Sequence, residues 1–249
     1  MARDNLPLYG RAALVTGASS GLGRALAIEL AQRGARLVLA ARDKDKLAQT
    51  AQQAGGQADG DVRVQPCDVS DRQQVDSLAS AAQSAFGGLD ILINNAGIGR
   101  AGKVAESDPE AIQEMLQVNL WGLFLVTRAC LPLITDRKGW LVNISSVAAF
   151  NPSPGFAMYA ASKAAVSSFS RSLRQELRHD GVRVLDVCPG MMGTAFFDGF
   201  SVDGKAPVPT DAGTLLEPAD AARAICDALC LPANTAVNEL VIRPTWQER

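Results

Sequence analysis

Tyr159-Ala160-Ala161-Ser162-Lys163 sets a phenol and an ammonium at i and i+4, with small residues between them. On a helix these positions share one face, so both groups can reach the same point in space. A lysine charge there favours phenolate over phenol. Two unit charges ~5 Å apart at an effective dielectric of ~20 couple by roughly 3 kcal/mol. That is worth about two pK units, enough to bring a tyrosine from about 10 towards the working range of a general acid/base. A surface tyrosine that merely precedes a lysine shows the same spacing, so the pair takes its meaning from the elements around it.

Those elements alternate. Ala12 to Thr16 is a short apolar run of buried-strand type, and Gly17-Ala18-Ser19-Ser20-Gly21-Leu22-Gly23 follows at once. A helix then runs from about Leu22 to Arg33, stopped by Gly34, and Arg36 to Ala41 is a second apolar strand. A glycine-rich turn inside such a βαβ unit places bare backbone N–H groups at a helix N-terminus, where dipole and hydrogen bonds together bind a pyrophosphate.

The pattern continues with a helix over Lys44–Ala54, a strand at Val62–Val64 ending at Cys67-Asp68-Val69, and a helix over Asp71–Phe86. The strand Leu89–Asn94 runs into Asn95-Ala96-Gly97. One long helix is expected over Glu110–Thr135, with Pro109 in its first turn. Its apolar stripe is Ile112, Met115, Leu116, Leu120 and Leu123, and Asn119 lies in the same sector. The strand Trp140–Ile144 is followed by Ser145-Ser146. The helix carrying Tyr159 is expected to reach His179, with Val166, Phe169, Leu173 and Leu177 inward; there His179 favours the helix C-terminus rather than acting as a base or ligand. Val182–Val187 is a strand closed by Pro189-Gly190, and Pro218–Leu229 and Glu239–Arg243 form a last helix and strand. Residues 1–10 read as a loose leader. The aperiodic stretch from about 191 to 217, with Phe196, Phe197 and Phe200, reads as a substrate lid whose phenylalanines either line an apolar pocket or pack the lid itself.

The fold class is therefore α/β: a single doubly wound Rossmann-type domain over residues 1–249. About seven mostly parallel strands carry helices on both faces, with ligand outside their carboxyl ends. A formal charge of -2 and the lack of a basic block argue against a nucleic-acid partner. No unbroken apolar run long enough to span a membrane and no signal-peptide pattern stand out, so neither a membrane partner nor export is expected. Five cysteines without metal or redox spacing predict buried free thiols, no metal site and a reducing cytoplasm.

With these motifs in order, nearly the whole chain resembles the short-chain dehydrogenase/reductase family. Thr16-Gly17-x-x-x-Gly21-x-Gly23 matches its cofactor turn and Asn94-Asn95-Ala96-Gly97 its sheet-stabilising segment. Asn119, Ser146, Tyr159 and Lys163 match its catalytic tetrad, and Pro189-Gly190, Met192 and Thr194 its nicotinamide-contacting segment. The resemblance implies a hydride transfer between a nicotinamide cofactor and a carbonyl/secondary alcohol pair. In it Tyr159 moves the proton, Lys163 lowers the phenol pKa and holds the ribose, Ser146 binds the substrate oxygen, and Asn119 holds a water linking Lys163 to solvent. The family's serine-to-tyrosine spacing selects Ser146, and Ser145, on the opposite face of the strand, points elsewhere. Ser19, Ser20, Leu22, Asp68 and Val69 complete the implied cofactor contacts. The resemblance also implies a homotetramer or homodimer built on the two long helices.

The strand-end residue that would be an Asp in an NAD-selective sheet is Ala41, and Arg42 after it can bind the 2′-phosphate of NADP(H). Asp43 reads as the N-cap of the next helix. Ser20 stands where many NADP-selective relatives carry a second cation. NADP(H) is the expected cofactor, ahead of NAD(H). The chain end from Asn238 to Pro244 resembles a subgroup that includes 3-hydroxy acid dehydrogenases, and acyl-carrier-protein ketoreductases share the tetrad. A 3-oxoacyl or 3-hydroxy acid type compound is the expected small-molecule substrate. A catalytically silent NADP(H)-binding sensor or scaffold of the same fold is the competing reading.

Overall fold

A computed structural model describes residues 3–55, 61–194, 196 and 215–247. Short aliphatic runs form seven strands: β1 (Ala12–Thr16), β2 (Arg36–Ala41), β3 (Val62–Pro66), β4 (Ile91–Asn94), β5 (Trp140–Ile144), β6 (Arg183–Pro189) and β7 (Glu239–Ile242). They pair in the order β3-β2-β1-β4-β5-β6-β7, and every pairing is parallel. The central strands are buried on both faces, which is why they read as unbroken apolar runs rather than alternating ones.

The helices are α1 (Gly21–Gln32), α2 (Lys44–Gln53), α3 (Arg72–Phe86), α4 (Pro109–Leu116), α5 (Leu123–Thr135), α6 (Ala157–Leu177) and α7 (Pro218–Leu229). One face of the sheet packs Leu26 and Leu30 of α1, Leu47 of α2 and Ile225 of α7. The other packs Leu78 of α3, Val126 and Ile134 of α5, and Leu173 of α6. Chain order reverses between β1 and β4, so Thr16 and Asn94 end side by side and open a crevice at the carboxyl edge.

Four expectations change. The leader is folded from residue 3: a 3-10 turn at Arg3–Asn5 precedes Leu8, which is buried and donates its amide to Arg33 O at 2.9 Å. The long helix is not one α-helix, because a π-helical turn at Gln117–Gly122 joins α4 to α5. The wider turn shifts the helical phase. Met115, Val118, Asn119 and Leu123 turn inward, while Leu116 and Leu120 stay half-exposed beside exposed Trp121 and Phe124. Phe169 of α6 joins this outer patch instead of sitting wholly inside, and α6 stops at Leu177, before exposed His179. The combined stretch Pro109–Thr135 is long and apolar enough by composition to cross a membrane, although Glu110, Glu114 and Arg128 interrupt it. Here Val126, Cys130 and Ile134 of its second half belong to the core. Most of the expected lid, including Phe197 and Phe200, lies outside the described residues; its ends meet in a bridge between Met192 and Leu216.

Gly122 closes the π turn against Val69. A Cβ there would stand 2.7 Å from Val69 Cγ2 and 3.1 Å from Val69 O. Alanine gains about 1 kcal/mol of helix propensity over glycine, but overpacking against stiff valine and backbone costs roughly 1–3 kcal/mol. Gly122→Ala is therefore expected to lower stability by about 1 kcal/mol and the melting temperature by roughly 2–4 °C. A rise in melting temperature would show that the turn can open to admit a methyl group.

Candidate active site

The crevice holds a cavity of about 860 Å³. Every candidate cofactor residue lines it except Gly23, and every tetrad residue except Asn119. Both exceptions act from behind. A Cβ on Gly23 would collide with Gly17 O, so glycine is what lets α1 start so close to β1. Gly17 has φ +64°, and a Cβ on it would stand 2.8 Å from Ala96 Cα. Ser20 N-caps α1 without a side-chain capping bond. Bare glycine backbone beside such a helix N-terminus is a cradle suited to a pyrophosphate.

Side chains rather than strand pairing hold this cradle in place. Thr16 Oγ1 accepts the amides of Asn95 at 3.0 Å and Ala96 at 3.1 Å and donates to Ile93 O. Asn95 Nδ2 donates to Thr16 O at 2.9 Å and Gly17 O at 3.2 Å. Asn94 stitches β4 to its neighbours, donating to Thr127 Oγ1 and Asn143 Oδ1 at 2.9 Å each. Arg24 Nη2 braces the turn from outside by donating to Ser19 O at 2.6 Å.

At the far end, Ala41 and Arg42 line the cavity. Asp43 caps α2 as expected, its Oδ1 accepting Lys46 N at 3.0 Å. Arg42 is exposed and lies 3.8 Å from Glu114 of α4, a carboxylate also held by Arg100 at 2.8 Å. Neither Glu114 nor Arg100 stood out in the sequence, because their distance from Arg42 along the chain hides the contact. Asp68 Oδ1 accepts the Ser70 amide and hydroxyl, which fixes the carboxylate at the rim.

At the near end, Tyr159, Lys163 and Ser146 are buried together. Ser146 lies just past β5; its Oγ accepts Ala148 N at 3.1 Å, and its hydroxyl bonds that of Tyr159. Ser145 points away, donating to Val187 O at 2.9 Å. Lys163 Nζ donates to Ile144 O at 2.9 Å and sits 6.0 Å from the Tyr159 ring centre. Asn119 makes three side-chain bonds: Oδ1 accepts Ile98 N at 2.8 Å, and Nδ2 donates to Ile98 O and to Ser162 Oγ. Ser162 Oγ in turn donates to Tyr159 O at 2.7 Å, so Asn119 ties the Gly97 loop to the turn of α6 that carries the tyrosine. Phe156 and Phe196 flank Tyr159 with ring centres 6.4 and 5.9 Å away. Phe196 thus sides with the pocket reading. Trp246 and Gln247, which no sequence signal marked, line the same cavity.

The electrostatics correct the simple Coulomb expectation. Burial pushes the Tyr159 phenol up to about 12, against the hydrogen bond from Ser146 that favours the phenolate. Burial pulls Lys163 down to about 8, against the charge of Asp186, which acts the other way. With the ammonium tied to Ile144, desolvation outweighs the attraction between the pair.

A sequence model described as short chain dehydrogenase matches residues 11–203. An uncharacterised oxidoreductase of Staphylococcus aureus strain MRSA252 is 39% identical over 238 residues, covering 95% of this chain and 98% of the relative. Among solved structures, an alcohol dehydrogenase of the archaeon Thermococcus sibiricus complexed with 5-hydroxy-NADP superposes with a TM-score of 0.85 and 30% identity, covering 96% of this chain and 98% of that one. A 3-ketoacyl-(acyl-carrier-protein) reductase of Brucella melitensis complexed with NADH gives a TM-score of 0.85 and 31% identity at the same coverage.

The lysine makes a pH test possible. A cation whose pKa is depressed from 10.5 to about 8 contributes stability that is fully present above pH 10.5 and lost as pH falls through 8. Between pH 7.5 and 10, the parent is expected to gain on the order of 3 kcal/mol relative to Lys163→Met in urea unfolding. A pH-independent difference would mean that Lys163 titrates as it would in water.

Proposed function

The chain belongs to the short-chain dehydrogenase/reductase family, and from that premise we propose that it is an NADP(H)-dependent oxidoreductase acting on a carbonyl/secondary alcohol pair. The observation that carries the reading is the buried Ser146–Tyr159 hydroxyl pair beside Lys163, in the cavity that also holds the glycine cradle. When bound, the cofactor supplies or accepts the hydride. Tyr159 delivers a proton to the substrate oxygen in reduction and removes it in oxidation. A phenol near 12 stays protonated through neutral pH, which suits the reductive direction. Ser146 accepts the Ala148 amide and bonds Tyr159 in the free site, and in this reading its hydroxyl turns to donate where charge grows on the substrate oxygen. With its amide bound to Ile98 and Ser162, Asn119 also acts as a positioning residue, beside the water-holding role that the resemblance implies.

In this reading Gly17, Gly21 and the N-terminus of α1 take the pyrophosphate, and Arg42 takes the 2′-phosphate. The substrate is a 3-oxoacyl or 3-hydroxy acid type compound. The solved relative named as a 3-ketoacyl-(acyl-carrier-protein) reductase supports that class, and the one named as an alcohol dehydrogenase supports the broader carbonyl/alcohol pair. The half-exposed patch of Leu116, Leu120 and Phe169 with stacked Trp121 and Phe124 supports a homotetramer or homodimer sealed through these helices. Buried free thiols support a cytoplasmic setting. Light scattering at micromolar concentration is expected to give a tetramer or dimer, and a stable monomer would refute the assembly.

Tyr159→Phe keeps the ring and removes one hydroxyl. It should cut turnover at least a hundredfold while NADPH binding persists. Ser146→Ala should cost several kcal/mol of activation free energy and Ser145→Ala much less; the reverse ranking would transfer the substrate-oxygen role to Ser145. With Glu114 competing for Arg42, NADPH should be preferred over NADH in kcat/KM by about 1.5 kcal/mol, roughly tenfold. Arg42→Ala should remove most of that ratio and leave NADH rates nearly intact. A parent that prefers NADH would overturn the cofactor assignment.

A further inference from the structure

We infer that the C-terminal turn from Pro244 to Gln247 is a working part of the substrate site. In it Gln247 positions Met191, and Trp246 forms an aromatic wall selecting neutral carbonyl compounds that carry an apolar arm. The inference rests on the carbonyl/alcohol reading above and narrows it.

The turn is held, and it holds in return. Gln247 N donates to Pro244 O at 3.0 Å, closing the turn, and Pro244 is buried. Gln247 Oε1 accepts Met191 N at 3.0 Å, within the Pro189–Thr194 stretch. Gly190 N donates to Ile242 O at 2.7 Å, and a Cβ on Gly190 would collide with Gln247 Oε1. Glycine is needed here to admit the glutamine. On its other side Met191 O accepts Leu216 N at 3.0 Å. Met191 is thus gripped from both directions, and one grip is a side chain at the end of the described chain.

Trp246 is exposed and lines the cavity at this same end. Phe156 and Phe196 flank Tyr159, and Trp246 and Met191 line the same cavity, which adds apolar and polarisable groups to it. Three of the four cations among the described lining residues lie away from Tyr159, beside carboxylates. Lys46 pairs with Asp43, Arg42 and Arg100 face Glu114, and Lys163 bonds Ile144 O. Near Tyr159 the described lining offers a carboxylate no cation besides buried Lys163. A neutral ketone or thioester with an alkyl or aryl arm fits this lining, and a free 3-hydroxy acid fits it less well.

The test pairs turnover with binding. In the parent, kcat/KM for 1-phenyl-1-propanone should exceed that for 2-butanone, and Trp246→Ala should reduce this ratio at least fivefold. Saturation-transfer NMR should detect 1-phenyl-1-propanone on the parent and a weakened signal on Trp246→Ala. If that variant fails to fold, Trp246→Leu is read in its place. Gln247→Leu should speed hydrogen exchange at the Met191 amide, and Gln247→Glu, which keeps an acceptor, should restore protection. Turnover with an unchanged ratio, or equal ligand signal in parent and variant, overturns the wall; unchanged Met191 exchange in Gln247→Leu overturns the clamp. Absence of turnover on every carbonyl with Trp246-dependent binding intact would instead strike the reductase reading and leave the wall standing.

Discussion

The hydrogen bonds from Thr16 and Asn95 across the gap between β1 and β4 are the constraint on which the site depends. At a switch point two parallel strands end together and their connections depart to opposite sides, so no further ladder can fix the loops that follow. Here one hydroxyl and one carboxamide do that work. Thr16 Oγ1 gathers the amides of Asn95 and Ala96, and Asn95 returns two bonds to the carbonyls of Thr16 and Gly17. The cradle and the Gly97 loop are therefore one rigid unit. The close approach of Gly17 to Ala96 leaves no room for a side chain between them.

Burial sets the chemistry of the second unit. The sequence spacing of Tyr159 and Lys163 suggests a pair in which charge attraction lowers the phenol. In the folded chain both groups have lost water, and each moves towards its neutral form. A tyrosine held protonated and a lysine near 8 form a site whose charge state is sensitive to whatever enters the cavity. A ligand that brings hydrogen bonds or charge changes the balance more here than at a solvated site, because the local dielectric is low.

Much of this was legible in the sequence, for identifiable reasons. Strands buried on both faces read as apolar runs, and the glycine turn, Asn95 and Ser146 sit at strand ends that the alternation locates. Asp43 as a cap was legible because its chemistry is local. The π turn was not, since a 3.6-residue stripe continues plausibly through Leu116 and Leu120 with nothing to mark the extra residue. On α6 the buried stripe runs through Val166, Ser170, Leu173 and Leu177, so a small polar serine took the inward position that the apolar pattern gave to Phe169. Leu8 was missed because Leu6-Pro7-Leu8 is too short and proline-broken a run to carry a period. Contacts such as Gln247 with Met191 and Glu114 with Arg42 join segments far apart in the chain, and only the closed sheet brings them together.

The π turn that escaped the sequence reading also links the two ends of the site. Its N-terminal flank α4 presents Glu114 to Arg42 and Arg100 at the far rim. Within the turn, Asn119 grips Ile98 and, through Ser162, the backbone carbonyl of Tyr159. At its end Gly122 lies against Val69, a lining residue of the same cavity. Asn119 and Gly122 are buried here together with Met115, Leu125 and Val126, while Glu114 stays at the exposed rim. The π turn runs through this stretch and leaves Leu116 and Leu120 half-exposed beside Trp121 and Phe124. The apolar patch on the outside and the positioned asparagine on the inside are thus two consequences of the same turn, so a mutation that regularised the helix would disturb both together.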